Sequence, residues 1–127
     1  MDYKNKVESY LINLDCTFEN LDDSMWLITD EEKGLNNIIL MLEEPILIVR
    51  INVMSLPTKK REDLYKQVLT LNGSDLMHGA YAIENENLIL IDTLEIATLD
   101  LEELQASLDA FGLALAQHFK ALSKYRD

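Results

Sequence analysis

The sequence predicts an α+β fold of two layers, with the element order α-β-β-β-α-β-β-α and an antiparallel sheet, on three observations. Both ends of the chain repeat apolar residues at helical spacing, as in Tyr3, Val7, Tyr10, Leu11 and Leu14, and again in Leu101, Leu108, Leu115 and Leu122. Between Met25 and Met54, runs rich in Ile, Val and Leu are separated by turns short enough for hairpins. A second pair of such runs lies between Gly79 and Leu94, joined by Glu84, Asn85 and Glu86. Helices packed on a sheet of hairpins form two layers around one core, and 127 residues suffice for one domain, residues 1–127.

Each element has its own signal. Helix one covers residues 2–14. The period then changes, and Met25–Ile28, Ile38–Leu42 and Ile46–Met54 read as the strands of a meander. Asp30–Gly34 is the first hairpin turn; it is no calcium loop, because Lys33 stands where that loop requires an oxygen ligand. Glu43, Glu44 and Pro45 make the second turn. Pro57 ends the third strand and Thr58 caps a second helix, with Leu64, Val68 and Leu71 inward and Gly73 as its left-handed stop. Strands Gly79–Ile83 and Asn87–Leu94 follow. Thr98 or Asp100 opens the last helix, and Asp100 with Glu103 has the spacing of a capping box.

Two features exceed what a lone domain needs. Along the third strand Leu47, Val49, Ile51 and Val53 alternate with Ile46, Ile48 and Met54, and Ile38, Leu40 and Leu42 alternate with Ile39 and Met41, so both faces of the meander are apolar. Helices on one side cover one face. The other is either shielded by a helix end or the 70–78 region, or is a protein-contact surface, and the second is the working expectation. The last helix places Leu104, Phe111, His118 and Tyr125 beside its leucine heptads. A long helix lying across the sheet, its buried face widened by Leu113, Ala114, Ala116 and Phe119, explains this; a helix-to-helix dimer seam is the alternative.

Composition narrows function. Apolar residues are 48% of the chain and aromatics 7%, the makeup of an aliphatic core. Eleven Lys and Arg against 23 Asp and Glu leave a net charge of -12, a field that repels phosphate backbones and anionic lipid and attracts basic segments. No nucleic-acid or membrane partner is expected. With Cys16 as the one cysteine, and no leader-like or bilayer-length apolar stretch, the expected compartment is the cytoplasm. Catalytic chemistry lacks its parts: His78 and His118 form no helical pair, Cys16 has no neighbouring Cys or His, and no glycine-rich phosphate loop exists. No enzyme, cofactor or metal is expected. Lys59, Lys60 and Arg61 form the basic cluster, read as solvated or paired with the abundant acids.

From Leu64 to Leu122 the chain shows a helix ending in Leu71-Asn72, a strand Gly79-Ala80-Tyr81-Ala82-Ile83, an acidic turn Glu84–Asn87, an apolar strand Leu88–Ile91 with Leu94, and Leu99-Asp100 before a long helix. In this it resembles the YbjN family and the class I type III secretion chaperones of the Tir chaperone type, bacterial proteins that share one fold. The resemblance implies a homodimer that binds an unfolded or extended client segment through apolar sheet patches, without hydrolysing nucleotide. By this analogy Trp26, Ile28, Leu40, Ile48 and Met54 are the candidate partner-binding residues. A YbjN-like regulatory or structural homodimer that holds no client is the alternative.

Overall fold

The computed structural model describes residues 2–127, apart from the side chain of Lys33. Helix α1 (Tyr3–Asn13) begins at Asp2, whose carboxylate accepts from the Asn5 backbone N–H at 3.1 Å, and buries Val7 and Leu11. Four strands follow: β1 (Thr17–Asp22), β2 (Met25–Asp30), β3 (Leu35–Glu43) and β4 (Ile46–Ser55), with a 3-10 turn, η1 (Glu31–Lys33), between β2 and β3. Helix α2 (Arg61–Ser74), the hairpin β5 (Ala80–Glu84) and β6 (Asn87–Glu95), and helix α3 (Leu101–Ser123) complete the chain.

The α+β architecture holds, with one strand more than the sequence showed. Strand β1 was not visible because it is an edge strand: Phe18 is half-buried and every other residue in it is exposed, so no apolar alternation marks it. All strand pairs are antiparallel, in the order β1-β2-β3-β4-β6-β5.

The helices share one face of this sheet. Residues directly opposite in neighbouring strands point the same way, and the register aligns Trp26 with Leu40 and Val49, Ile28 with Ile38, and Ile51 with Leu90 and Tyr81. These side chains join Val7, Leu11, Leu64, Val68, Leu104, Leu108, Phe111 and Leu122 in one buried cluster. Polar ties fix the helices over it. The Trp26 indole N–H donates to Glu8 in α1 at 2.9 Å, Lys6 Nζ to the Ile96 carbonyl at 2.8 Å, and Ser107 Oγ in α3 to Asp92 in β6 at 2.8 Å.

Helix α3 carries the predicted capping box, with Asp100 accepting from the Glu103 N–H at 2.8 Å and Glu103 accepting from the Asp100 N–H at 3.2 Å. Its heptad positions Leu104, Leu108, Phe111, His118 and Leu122 are buried, as expected of a helix lying across a sheet. Leu113, Ala116 and Phe119 do not widen that face; all three are exposed, and Ala114 alone of the four is buried.

Both ends of the second helix differ from the sequence reading. Helix α2 starts behind Lys60, a left-handed residue with φ 62°, without a side-chain cap from Thr58. Gly73 lies inside α2; the glycine that turns the chain is Gly79, at φ +77°, where a Cβ would come within 2.7 Å of the Ile91 carbonyl and 3.1 Å of the Phe111 ring. Arg61, the last of the basic cluster, bridges Glu86 at 2.7 Å.

Candidate protein-binding site

The sheet face turned away from the helices is apolar, and among the described residues no helix is placed over it. Met25, Met41, Ile48 and Thr93 stand opposite one another in one row, and Leu27, Ile39, Arg50, Ile91 and Ala80 in the next. Ile46 extends the patch between Glu43 and Glu95. The aliphatic and Met side chains of these rows are half-buried. From β2 to β6 the patch crosses three inter-strand gaps, about 14 Å. Carboxylates rim it: Glu19 opposes Leu27 at the β1 edge, and Glu43 and Glu95 close the turn end.

A clamp divides this face. Arg50 donates from both terminal nitrogens to Glu84, at 2.7 and 2.6 Å. Arg50 stands opposite Ile91 and Glu84 opposite Asn87, so the pair spans β6 above Ile89 and leaves that residue 3% exposed. The hydrogen bonds from Arg50 hold the Glu84 carboxyl below its ordinary range, and those to Glu84 raise the guanidinium. The free part of the patch is therefore the β2–β3–β4 half.

The five residues singled out from sequence divide unevenly. Ile48 lies on the uncovered face. Trp26, Ile28 and Leu40 are fully buried on the helix side, where their contacts are with the core. Met54 is there too, 5% exposed, because a register shift between Asn52 and Met54 turns it over relative to Ile46 and Ile48. Strand parity had separated the two faces but could not tell which one the helices would take. The surface neighbours of Ile48 are Met25, Leu27, Ile39 and Met41, each adjacent in sequence to a residue that is buried or partly so. A single signal pointed to them: the one tryptophan, a large ring with one polar N–H, belongs on the inside, so Met25 and Leu27 belong outside.

A second apolar surface lies at the β5 edge. Tyr65, Val68 and Leu69 of α2 and Tyr81, Ala82, Ile83 and Leu88 of the hairpin line a pocket of about 290 Å3. Leu69 is 67% exposed and Ile83 47%. Beside it the Asn72 side chain holds the strand backbone, accepting from the Tyr81 N–H at 2.7 Å and donating to the Tyr81 carbonyl at 3.1 Å. The Tyr81 hydroxyl meets His118 Nδ1 at 2.7 Å, and His118 Nε2 meets Asp75 Oδ2 at 3.2 Å.

Among the described residues no group of three or more His, Cys, Asp or Glu is arranged to hold a metal ion, and no helix is long and apolar enough to cross a membrane. What the arrangement offers chemically is apolar area with an acidic rim.

No curated protein matches the chain in sequence. Solved structures do match in fold. A chain of the heterodimeric ExoU–SpcU complex from the type III secretion system of Pseudomonas aeruginosa superposes with a TM-score of 0.70 at 13% identity, over 87% of this chain and 93% of that one. YbjN from E. coli, a putative transcription regulator, gives 0.68 at 9% identity, covering 92% and 91%. A chain of the ExsC–ExsE complex gives 0.57 at 14%, covering 98% and 96%. The helix-covered six-stranded sheet is thus a fold shared with chains from these assemblies, and since the CesT_Tir_1 profile matches residues 1–127 from end to end, the chain belongs to that family of type III secretion chaperones.

Proposed function

We propose that this chain, residues 1–127 acting as one unit, is a non-enzymatic chaperone-like protein that holds an apolar or extended segment of a client protein on the uncovered sheet face and works as a homodimer in the bacterial cytoplasm. The observation that carries the reading is the row of Met25, Met41 and Ile48 beside Leu27 and Ile39, aliphatic area on a face that no described element covers. The family supports it, as does the occurrence of similar folds in two-protein complexes. The α2–β5 edge, with Leu69 and Ile83 exposed, is the surface we assign to the second copy.

Substitution separates these roles. Ile48→Glu places a charge in the middle of the uncovered face, and Leu69→Glu places one at the proposed dimer edge. The expected result is a dimeric Ile48→Glu protein that melts like wild type but no longer retains client polypeptide from its native lysate, and a monomeric Leu69→Glu protein. Retention undiminished by Ile48→Glu would remove the sheet face from client binding. A monomeric Ile48→Glu protein, from a dimeric parent, would instead mean that the face is covered by a second copy, as in a regulatory or structural homodimer.

A further inference from the structure

A third surface lies apart from both of these. Between the 3-10 turn η1 and the outer flank of α3 runs a groove of about 420 Å3, lined by Gly34, Gly112, Leu115, Ala116 and Phe119. Phe119 is 63% exposed, and Gly112, Ala116 and Phe119 follow one another at helical spacing along one flank of α3. Without side chains beyond a methyl at Gly112 and Ala116, another backbone can approach α3 closely there, with the Phe119 ring as its wall.

The same turn borders a different kind of cavity. On its other side, Asp15, Asp30, Glu31 and Glu32 line a cleft of about 550 Å3 with Leu14, Thr17 and Thr29. Glu31 and Glu32 belong to η1, and Gly34 of the groove follows them after Lys33, so a trough of apolar surface and a cleft of carboxylates border the same turn. Residues 30–33 carry three acids against one lysine.

We propose that this surface docks a cationic amphipathic helix of another protein, its apolar stripe seated along Gly112, Ala116 and Phe119 and its lysine or arginine side chains directed to the carboxylates around η1. The groove is walled by a helix flank and a turn, which offer side chains and no free strand edge. A helix satisfies its own backbone and needs only side-chain contacts, so it fits such a groove better than an extended segment does. Charge selects its sign, since a cationic partner is drawn to the acid cleft. A second copy docked by two-fold symmetry would set Glu31 and Glu32 against their own equivalents.

The proposal stands apart from client holding on the sheet, and the test keeps them distinguishable. A fluorescein-labelled amphipathic peptide of leucine and lysine is titrated by anisotropy with the full chain, alongside a leucine and glutamate counterpart. Expected is binding of the cationic peptide alone, weakened about tenfold both by Phe119→Ser and by the double change Glu31→Lys, Glu32→Lys, the latter also flattening the salt dependence. Ile48→Glu should leave it unchanged. Equal binding by the groove variants, or of the glutamate peptide, overturns the proposal, as does loss of binding in Ile48→Glu. If sedimentation shows that Phe119→Ser dissociates the wild-type dimer, the groove is a self-contact and the proposal also fails. All three altered side chains in the groove variants are exposed, and circular dichroism verifies that the variants fold.

Discussion

Tyr81 is 4% exposed, and its hydroxyl is linked to His118 and, through it, to the exposed Asp75. With the proton of the His118 ring on Nε2, toward the Asp75 carboxylate, Nδ1 accepts from the tyrosine hydroxyl, and both ring nitrogens have partners. Burial penalises the phenolate, and the negative charge of Asp75 adds to it, so the hydroxyl is pushed from 10.0 to about 12. The sign of the consequence follows from linkage. An acid whose pKa is raised by folding stabilises the native state fully below its unfolded value, and that contribution is lost as pH rises from 10.0 through about 12. Spectrophotometric titration should therefore show a late phenol that Tyr81→Phe removes, with wild-type stability declining over the same interval. A titration complete by the ordinary tyrosine range would contradict the buried hydrogen-bonded chain.

At the scale of elements, β5 is an edge strand that the fold has closed. In the β5–β6 ladder Ala80 pairs with Ile91 and Ala82 with Ile89, while the N–H and carbonyl of Tyr81 both go to the Asn72 side chain. The amide of Asn72 thus stands in for one residue of a missing neighbouring strand, and ties the end of α2 to the sheet. An open edge of this kind pairs with other chains. Asn72→Ala should cost about 1–3 kcal/mol in denaturant unfolding, since two partly buried backbone groups lose their partner. It should also introduce concentration-dependent association beyond the dimer in light scattering. Asn72→Asp keeps the acceptor and loses the donor, and belongs between the two. The sequence displays Leu71-Asn72 as a motif at a helix end, yet nothing local explains the asparagine; its partner lies nine residues on, across a turn.

The molecule as a whole is set by charge and by the one-sided placement of its helices. A net charge of -12 on 127 residues makes self-repulsion a destabilising term that the ion pairs Arg50–Glu84 and Arg61–Glu86 offset locally. Raising salt from about 0.01 M to physiological strength shortens the screening length from about 30 Å to about 8 Å. The melting temperature should rise accordingly, by a few degrees for a gain on the order of 1 kcal/mol. A fall would show that attraction within the pairs outweighs repulsion among the rest. The same field gives both the sheet-face rim and the η1 cleft their preference for basic partners.

By itself the sequence determined the α+β class, the position of all three helices, the three hairpins after Met25, and the capping box at Asp100, because each rests on contacts between residues close in the chain. It also determined that both faces of the meander would be apolar, since alternation within one strand is a local pattern. The tertiary structure decided which face the helices would occupy, and so buried Trp26, Ile28 and Leu40 while leaving Ile48, Met41 and Leu27 outside. It decided that a bulge would carry Met54 inward, that a polar stretch at Thr17–Asp22 would serve as a sixth strand, and that Asn72 would close an edge. The physical reason is common to all of these: burial and edge pairing are properties of what packs against a strand, and the packing element lies elsewhere in the chain.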